Sequence, residues 1–199
     1  MKSLSITAGL TAVLLSALQA NLASAEEQHE HRHHEAHVHG VASLNAVIED
    51  NALYLELQSP AMNLVGFEHM PSNHEQEEAV EKTVKTLEQG DRIFTIPSAA
   101  GCKLVEAEVE SPLHKEEHGD HHGDKHEHED DAEHHEHEDG HSEFHATYHF
   151  QCTAPAALTY IDVQLFKLFP ATEEIDAQFI SDKGQGAAEL NANNYRLSF

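Results

Sequence analysis

Ten of the chain's twenty histidines lie between His114 and His141, in a stretch where most other residues are Asp or Glu. That stretch reads HKEEHGDHHGDKHEHEDDAEHHEHEDGH, and a shorter tract, HEHRHHEAHVH, spans His29 to His39. Imidazole suits borderline divalent cations such as zinc, copper and nickel, and no packing requirement of a core clusters it this way. In the longer tract His118, His121, His122, His126, His128, His134, His135, His137 and His141 are candidate ligands, with His-x-His pairs at His126/His128 and His135/His137. Closely spaced imidazoles on pliant backbone can swing onto one ion, while nearby carboxylates add oxygen ligands or orient the rings. Such sites are several, overlapping and exchangeable, and ordering the chain around each ion weakens its affinity. A linker that served only to stay solvated would use Lys, Ser and Glu without histidine.

Two stretches match the HExxH pattern of zinc proteases, His29-Glu30-His31-Arg32-His33 and His137-Glu138-Asp139-Gly140-His141. That chemistry needs the spacing on a rigid helix, so that both imidazoles and the Glu face one zinc. Here His and Glu are so abundant that the match is expected by chance, and Gly140 weakens a helix in the second. A metal-dependent hydrolase is therefore the weakest reading.

His37 and His39 differ from the tract histidines, because alternation begins at His37. Val38, Ala42, Leu44, Ala46 and Ile48 point one way, and His37, His39, Ser43 and Asn45 the other, as in a half-buried strand. Imidazoles two apart in a strand project to one side, about 6.5–7 Å apart, and can hold one ion if another element completes the set. The candidates for completing it are Glu68 and His69 from a loop, and His145 and His149 from a later strand. His74, near a helix start, reads as a solvated surface residue.

The elements that must position these groups follow from pattern. Leu53, Leu55 and Leu57 alternate with Tyr54, Glu56 and Gln58 in a second strand, making a hairpin that ends at Ser59-Pro60. Residues 60–71 read as a structured loop between prolines. Ser72 with Glu75 forms a capping box, predicting a helix to about Gln89 with Ala79, Val80, Val84 and Leu87 buried and Gly90 as the stop. Strands are expected at Cys102–Glu110 and Phe144–Cys152, the second with Phe144, Ala146, Tyr148, Phe150 and Cys152 on one face. If these two pair with the cysteines opposed, the numbers of every facing pair sum to 254 and the acidic tract becomes the hairpin tip. Further strands are expected near Leu158–Phe166, Ile175–Ile180, Ala187–Ala192 and Asn194–Phe199, with a turn at Gly184–Gly186. Leu165–Pro170 is apolar on all sides and fits a strand or a helical turn. The fold class is α+β, predominantly antiparallel, with two packed sheets, one main helix and a disordered His/Asp/Glu-rich loop.

At the N-terminus, Lys2, the apolar run Leu10–Leu18 and Ala23-Ser24-Ala25 read as a signal peptide over 1–25, cleaved near Ala25. Residues 26–36 have no apolar periodicity and should be disordered without metal. Residues 37–199 then form a single metal-binding domain, with 111–143 as a low-complexity acidic insert. No later stretch could span a bilayer, so an exported, soluble protein is expected, and the bacterial-looking signal puts it in a periplasm. In that oxidising compartment Cys102 and Cys152 read as a disulfide, with a two-thiolate metal site as the alternative. A net charge of −25 argues against nucleic acid and anionic membrane surfaces as partners and raises the local concentration of cations.

The segments His37-Val38-His39-Gly40-Val41-Ala42-x-Leu44 and Ser59-Pro60-Ala61-x-Asn63-x-x-Gly66-Phe67-Glu68-His69, with a His/Asp/Glu insert between two cysteines, resemble the ZrgA-like proteins. Leu165-Phe166-x-x-Phe169-Pro170 fits the same pattern. These are zinc-regulated periplasmic zinc-binding proteins of Gram-negative bacteria, and the resemblance covers essentially the whole mature chain. It implies non-catalytic zinc capture alongside a high-affinity zinc ABC importer and its periplasmic binding protein. The alternative within the binding class is a buffer that sequesters excess zinc, nickel or copper. Copper(II) outcompetes zinc on most nitrogen ligands, so affinity in vitro does not separate the two.

Overall fold

A computed structural model describes residues 38–114 and 141–199. The expected signal segment, the N-terminal tract through His37 and the insert from 115 to 140 lie outside the described residues.

The alternating run around Leu44 forms β1 (Val41–Glu49), which turns through Asp50 into β2 (Ala52–Pro60) with Leu44 opposite Leu57. Asp50 sits at φ 53, a left-handed conformation that Asp tolerates in a tight turn. The strand begins later than its alternation suggests: Val38 is 64% exposed and residues 39–40 form a turn. Gly40, at φ +89, breaks the pleat there.

Strand β2 runs directly into α1 (Ala61–Val65), inside the segment expected to be a loop. Five residues are too few for apolar periodicity to announce a helix. The main helix, α2 (His74–Leu87), starts one position later than the Ser72/Glu75 pair implies. Asn73 is its cap: its Oδ1 accepts the Gln76 N–H at 3.0 Å, and Gln76 Oε1 in return accepts the Ser72 N–H at 2.8 Å. Val80, Thr83, Val84 and Leu87 are its buried residues. Gly90 opens α3 (Gly90–Ile93), which leads to β3 (Phe94–Thr95). A Cβ at Gly90 would lie 2.9 Å from Tyr148 Cδ1, so close packing selects glycine at this position.

The two cysteine-bearing segments form β4 (Cys102–Glu110) and β5 (Glu143–Cys152), antiparallel, with Cys102 opposite and disulfide-bonded to Cys152. The expected register holds for Cys102/Cys152, Lys103/Gln151 and Leu104/Phe150. Val105 then bulges out, 61% exposed, and the pairing slips by one so that Glu106 faces His149 and Glu110 faces His145. The chain continues through β6 (Tyr160–Val163), α4 (Leu165–Leu168), β7 (Glu174–Ser181), β8 (Gly184–Asn191) and β9 (Arg196–Ser198). The apolar Leu165 segment thus takes its helical alternative. Gly184–Gly186 belongs to β8, and the turn expected there falls at Asp182-Lys183.

The larger sheet has the order β4-β5-β2-β1-β7-β8, with β1 and β7 parallel and its other pairs antiparallel; the smaller is β3-β6-β9. One face of the larger sheet, carrying Leu44, Leu57, Phe144, Phe150 and Ile175, shares a buried cluster with Val84 and Leu87 of α2 and Phe94, Ile161 and Leu197 of the smaller sheet. Each such side chain contributes about 1.5–3 kcal/mol by leaving water. The opposite face, with Asn45, Glu56, Gln58, His145, Thr147 and His149, stays polar and partly solvated. This is the expected α+β class, dominated by antiparallel strands, with two sheets and one main helix. No helix among the described residues is long and apolar enough to cross a membrane.

Candidate metal centre

The starts of β1, β5 and β7 and the end of β2 lie at one end of the larger sheet, since Pro60 pairs with Glu143 and Val41 with Glu174. Three ligand-type side chains meet there: His39 from the turn before β1, Glu68 from the loop after α1, and His141 two residues before β5. Their candidate ligand atoms all lie within 4.8 Å of one another. His39 Nε2 is 3.1 Å from Glu68 Oε1, and His141 Nδ1 is 2.6 Å from Glu68 Oε2. The two rings approach edge to face, with centroids 6.3 Å apart.

Each segment is bolted in place by backbone chemistry. The Gly40 carbonyl accepts the Glu173 N–H at 2.7 Å and the Glu174 N–H at 3.0 Å, which ties the turn carrying His39 to β7. The Ala61 N–H donates to the Ser142 carbonyl at 2.8 Å, which ties the residue after His141 to the start of α1. Gly66 ends α1 at φ 83 with its N–H on the Met62 carbonyl, and this left-handed cap turns the chain toward Glu68.

Glu68 is 13% exposed, while the His39 and His141 rings are 50% and 58% exposed. Burial pushes the Glu68 carboxyl up, but hydrogen bonds from His141 and His39, reinforced by the positive charge those rings carry when protonated, outweigh it and hold the group below the usual carboxylate range. An ionised carboxylate only accepts, so each imidazole presents an N–H to it. A metal ion competes for those same nitrogens. On binding, each ring must present a lone pair where it now presents a hydrogen, and the ion takes the place of two protons between rings and carboxylate. Zinc bonds of about 2.0–2.2 Å require modest side-chain rotation, which exposed rings permit. Two imidazoles and one carboxylate leave a coordination position open toward solvent.

The structure brings together His39, Glu68 and His141 from the sequence candidates and separates the others that it describes. His39 precedes β1 and does not stand on a strand face, which removes the geometric ground for pairing it with His37; His37 lies outside the described residues. His69 is engaged within its own loop, stacked on Phe67 at 5.2 Å with its Nδ1 2.9 Å from the Met70 carbonyl oxygen. His145 and His149 lie on the solvated sheet face. His145 Nε2 donates to Glu56 Oε1 at 2.8 Å, and His149 stacks on Tyr54 at 4.6 Å. His145 lies four residues beyond His141 and inside β5, up to roughly 13 Å away at strand rise. His118, His121, His122, His126, His128, His134, His135 and His137 lie outside the described residues. The cysteines form the disulfide, and no described cysteine is free, which removes the two-thiolate alternative.

Sequence reasoning placed His141 within the tract, where abundant histidine hides any one of them. Asn63, quoted from the sequence only as one position of the family-like segment and given no role there, is a buried residue of α1 whose side chain reaches the Gly40 turn. The signal was present, since a polar residue in the apolar run AMNLVGF calls for buried partners.

A family model described as ZrgA family zinc uptake protein matches residues 36–199. No curated protein sequence matches the chain significantly.

Proposed function

The chain belongs to the ZrgA family of zinc uptake proteins, and from that premise we propose that it captures zinc in the periplasm at His39, Glu68 and His141 and passes it toward import. The observation that carries this reading is where the two histidine tracts meet the described body. His39 is the last histidine of the first tract and His141 the last of the second, and both touch Glu68. Ions gathered at low affinity along either tract are thereby led to one ordered site. The tracts act as collectors and the cluster as the capture point. The two-imidazole, one-carboxylate donor set suits zinc, and the open position lets an acceptor's ligand enter before the ion leaves. The signal-like N-terminus and the disulfide support a periplasmic location, and the receiving partner on this reading is the periplasmic binding protein of a zinc ABC importer. The family's designation supports uptake over buffering of excess zinc, nickel or copper, and cargo binding over hydrolysis.

Calorimetric zinc titration of the mature protein tests it. Deleting residues 115–140 is expected to lower the number of ions bound while keeping one tight site. The deletion must stop before His141, because a wider cut over 113–142 removes a ligand. Loss of all zinc binding in the narrower deletion would sink the reading.

Neutral imidazole is the ligand form, so affinity is expected to weaken as pH falls through the ordinary histidine range near ~6.5. Glu68, held below the usual carboxylate range, stays ionised throughout that window. An affinity that did not change between about pH 7.5 and 5.5 would exclude histidine ligation.

A further inference from the structure

We propose that Asn63 is the positioning residue of this site, holding the turn that carries His39 against the helix that leads to Glu68. The inference rests on the reading of His39, Glu68 and His141 as the zinc ligands. Asn63 is 3% exposed in the middle of α1. Its Oδ1 accepts the Gly40 N–H at 2.7 Å, and its Nδ2 donates to the Val41 carbonyl at 3.1 Å and to Ser59 Oγ at 3.3 Å. A backbone N–H can only donate and a carbonyl can only accept, so the neighbours fix which way the amide points.

The bonds to Gly40 and Val41 reach 23 and 22 residues back along the chain, to the two residues that follow His39. Gly40 is thus gripped from both sides, by Asn63 through its N–H and by Glu173 and Glu174 through its carbonyl. Gly40 itself sits at φ +89, a conformation any side chain would strain, so this turn needs external support to hold one geometry. Glu68 lies five residues beyond Asn63, past the Gly66 cap. One side chain therefore joins the backbone of two ligand-bearing segments. An inward position on a short core helix is ordinarily apolar, because a buried amide costs free energy unless fully bonded. Asn63 is bonded at both ends, and its partners belong to the His39 turn and to the end of β2. Aspartate would set a second oxygen against the Val41 carbonyl, and alanine would leave the Gly40 N–H and Val41 carbonyl without this partner.

A purely structural role and a positioning role separate on metal affinity measured in folded protein. In the full chain, Asn63→Ala and Asn63→Asp are compared with wild type and with His141→Ala by zinc competition against a chromophoric chelator. The visible spectrum of bound Co2+ reports the site's geometry. Groups that orient ligands typically change metal affinity by ~10–100-fold, and a loss in that range is expected at the tight site, with an altered Co2+ spectrum. The metal-free far-UV spectrum and the number of weak sites should not change. Wild-type affinity and an unchanged Co2+ spectrum in a folded Asn63 variant would overturn the proposal. Amide exchange in the wild type gives a test independent of variant folding. The Gly40 N–H is expected to be protected, and exchange at the rate of an exposed amide would refute the anchoring. If His141→Ala keeps tight zinc binding, the assignment of the site itself fails. If it weakens binding while the Asn63 variants do not, the positioning role alone fails.

Discussion

Replacing Glu68 with alanine is expected to weaken zinc at the ordered site by about 100-fold or more, close to 3 kcal/mol. Glu68 touches both other members of the cluster, one through each carboxylate oxygen, and it is far less exposed than either ring. With Glu68 as a ligand of the proposed site, removing it takes away a metal bond and the anionic charge that draws a divalent ion between two neutral imidazoles. It also removes the group that orients both rings in the metal-free state. Losing an orienting group alone commonly costs ~10–100-fold, so losing a ligand that also orients sets the upper end of that range as the expectation. Glu68→Gln keeps the shape but not the charge, and should fall close to alanine if charge dominates. Metal-free stability should change little, because the partners are half-exposed rings and exposed pairs of this kind contribute about 0–1 kcal/mol. Calorimetry on the full chain separates this tight phase from binding along the tracts. A tight phase that persists unchanged in Glu68→Ala would remove the cluster as the capture site.

What could be read in advance followed the range of the interactions involved. Alternation at Ala42, Leu44 and Ala46, at Leu53, Leu55 and Leu57, and from Phe144 to Cys152 identified strands and their buried faces, because burial on one side writes a period of two into the chain. The same logic misplaced His39. Alternation continues formally through Val38, but Gly40 at positive φ turns the chain before the strand begins. A single bulged residue, Val105, shifted the register beyond Leu104/Phe150, and nothing in a run of alternating Glu and apolar residues marks which residue will be extruded. The parallel pairing of β1 with β7 joins residues more than a hundred positions apart, which no local pattern encodes. The site was half legible. Glu68 and His39 stood out in segments of ordered character, whereas His141 was one histidine among ten in its tract, distinguished only by its tie to α1 through Ser142.

Opening the disulfide is expected to destabilise the fold strongly while leaving zinc affinity almost unchanged. Cys102 and Cys152 are 50 residues apart, and closing a loop of that size is worth about 4 kcal/mol in the chain-entropy model. For a chain of this size that corresponds to a fall in Tm of roughly 8–16 °C. The position of the bridge strengthens the expectation. Strand β4 is an edge strand, and from the disulfide to the bulge at Val105 it makes three residue pairs with β5. Without the covalent link that short stretch can fray up to the bulge, exposing the Cys152 face of the core. Zinc should not notice, because the bridge closes one end of β5 and the proposed ligand His141 precedes the other, about 30 Å away over ten residues. The variant to test is Cys102→Ser with Cys152→Ala, since Cys152 is 1% exposed and a serine there would bury a hydroxyl. Thermal unfolding and zinc titration on the same sample give both readouts. A Tm within a degree or two of wild type would show that the bridge does not stabilise the fold. A large loss of zinc affinity in protein still folded would mean that the far end of β5 is not held by its pairing with β2 and the Ala61–Ser142 bond alone, and that the stem transmits strain along its whole length.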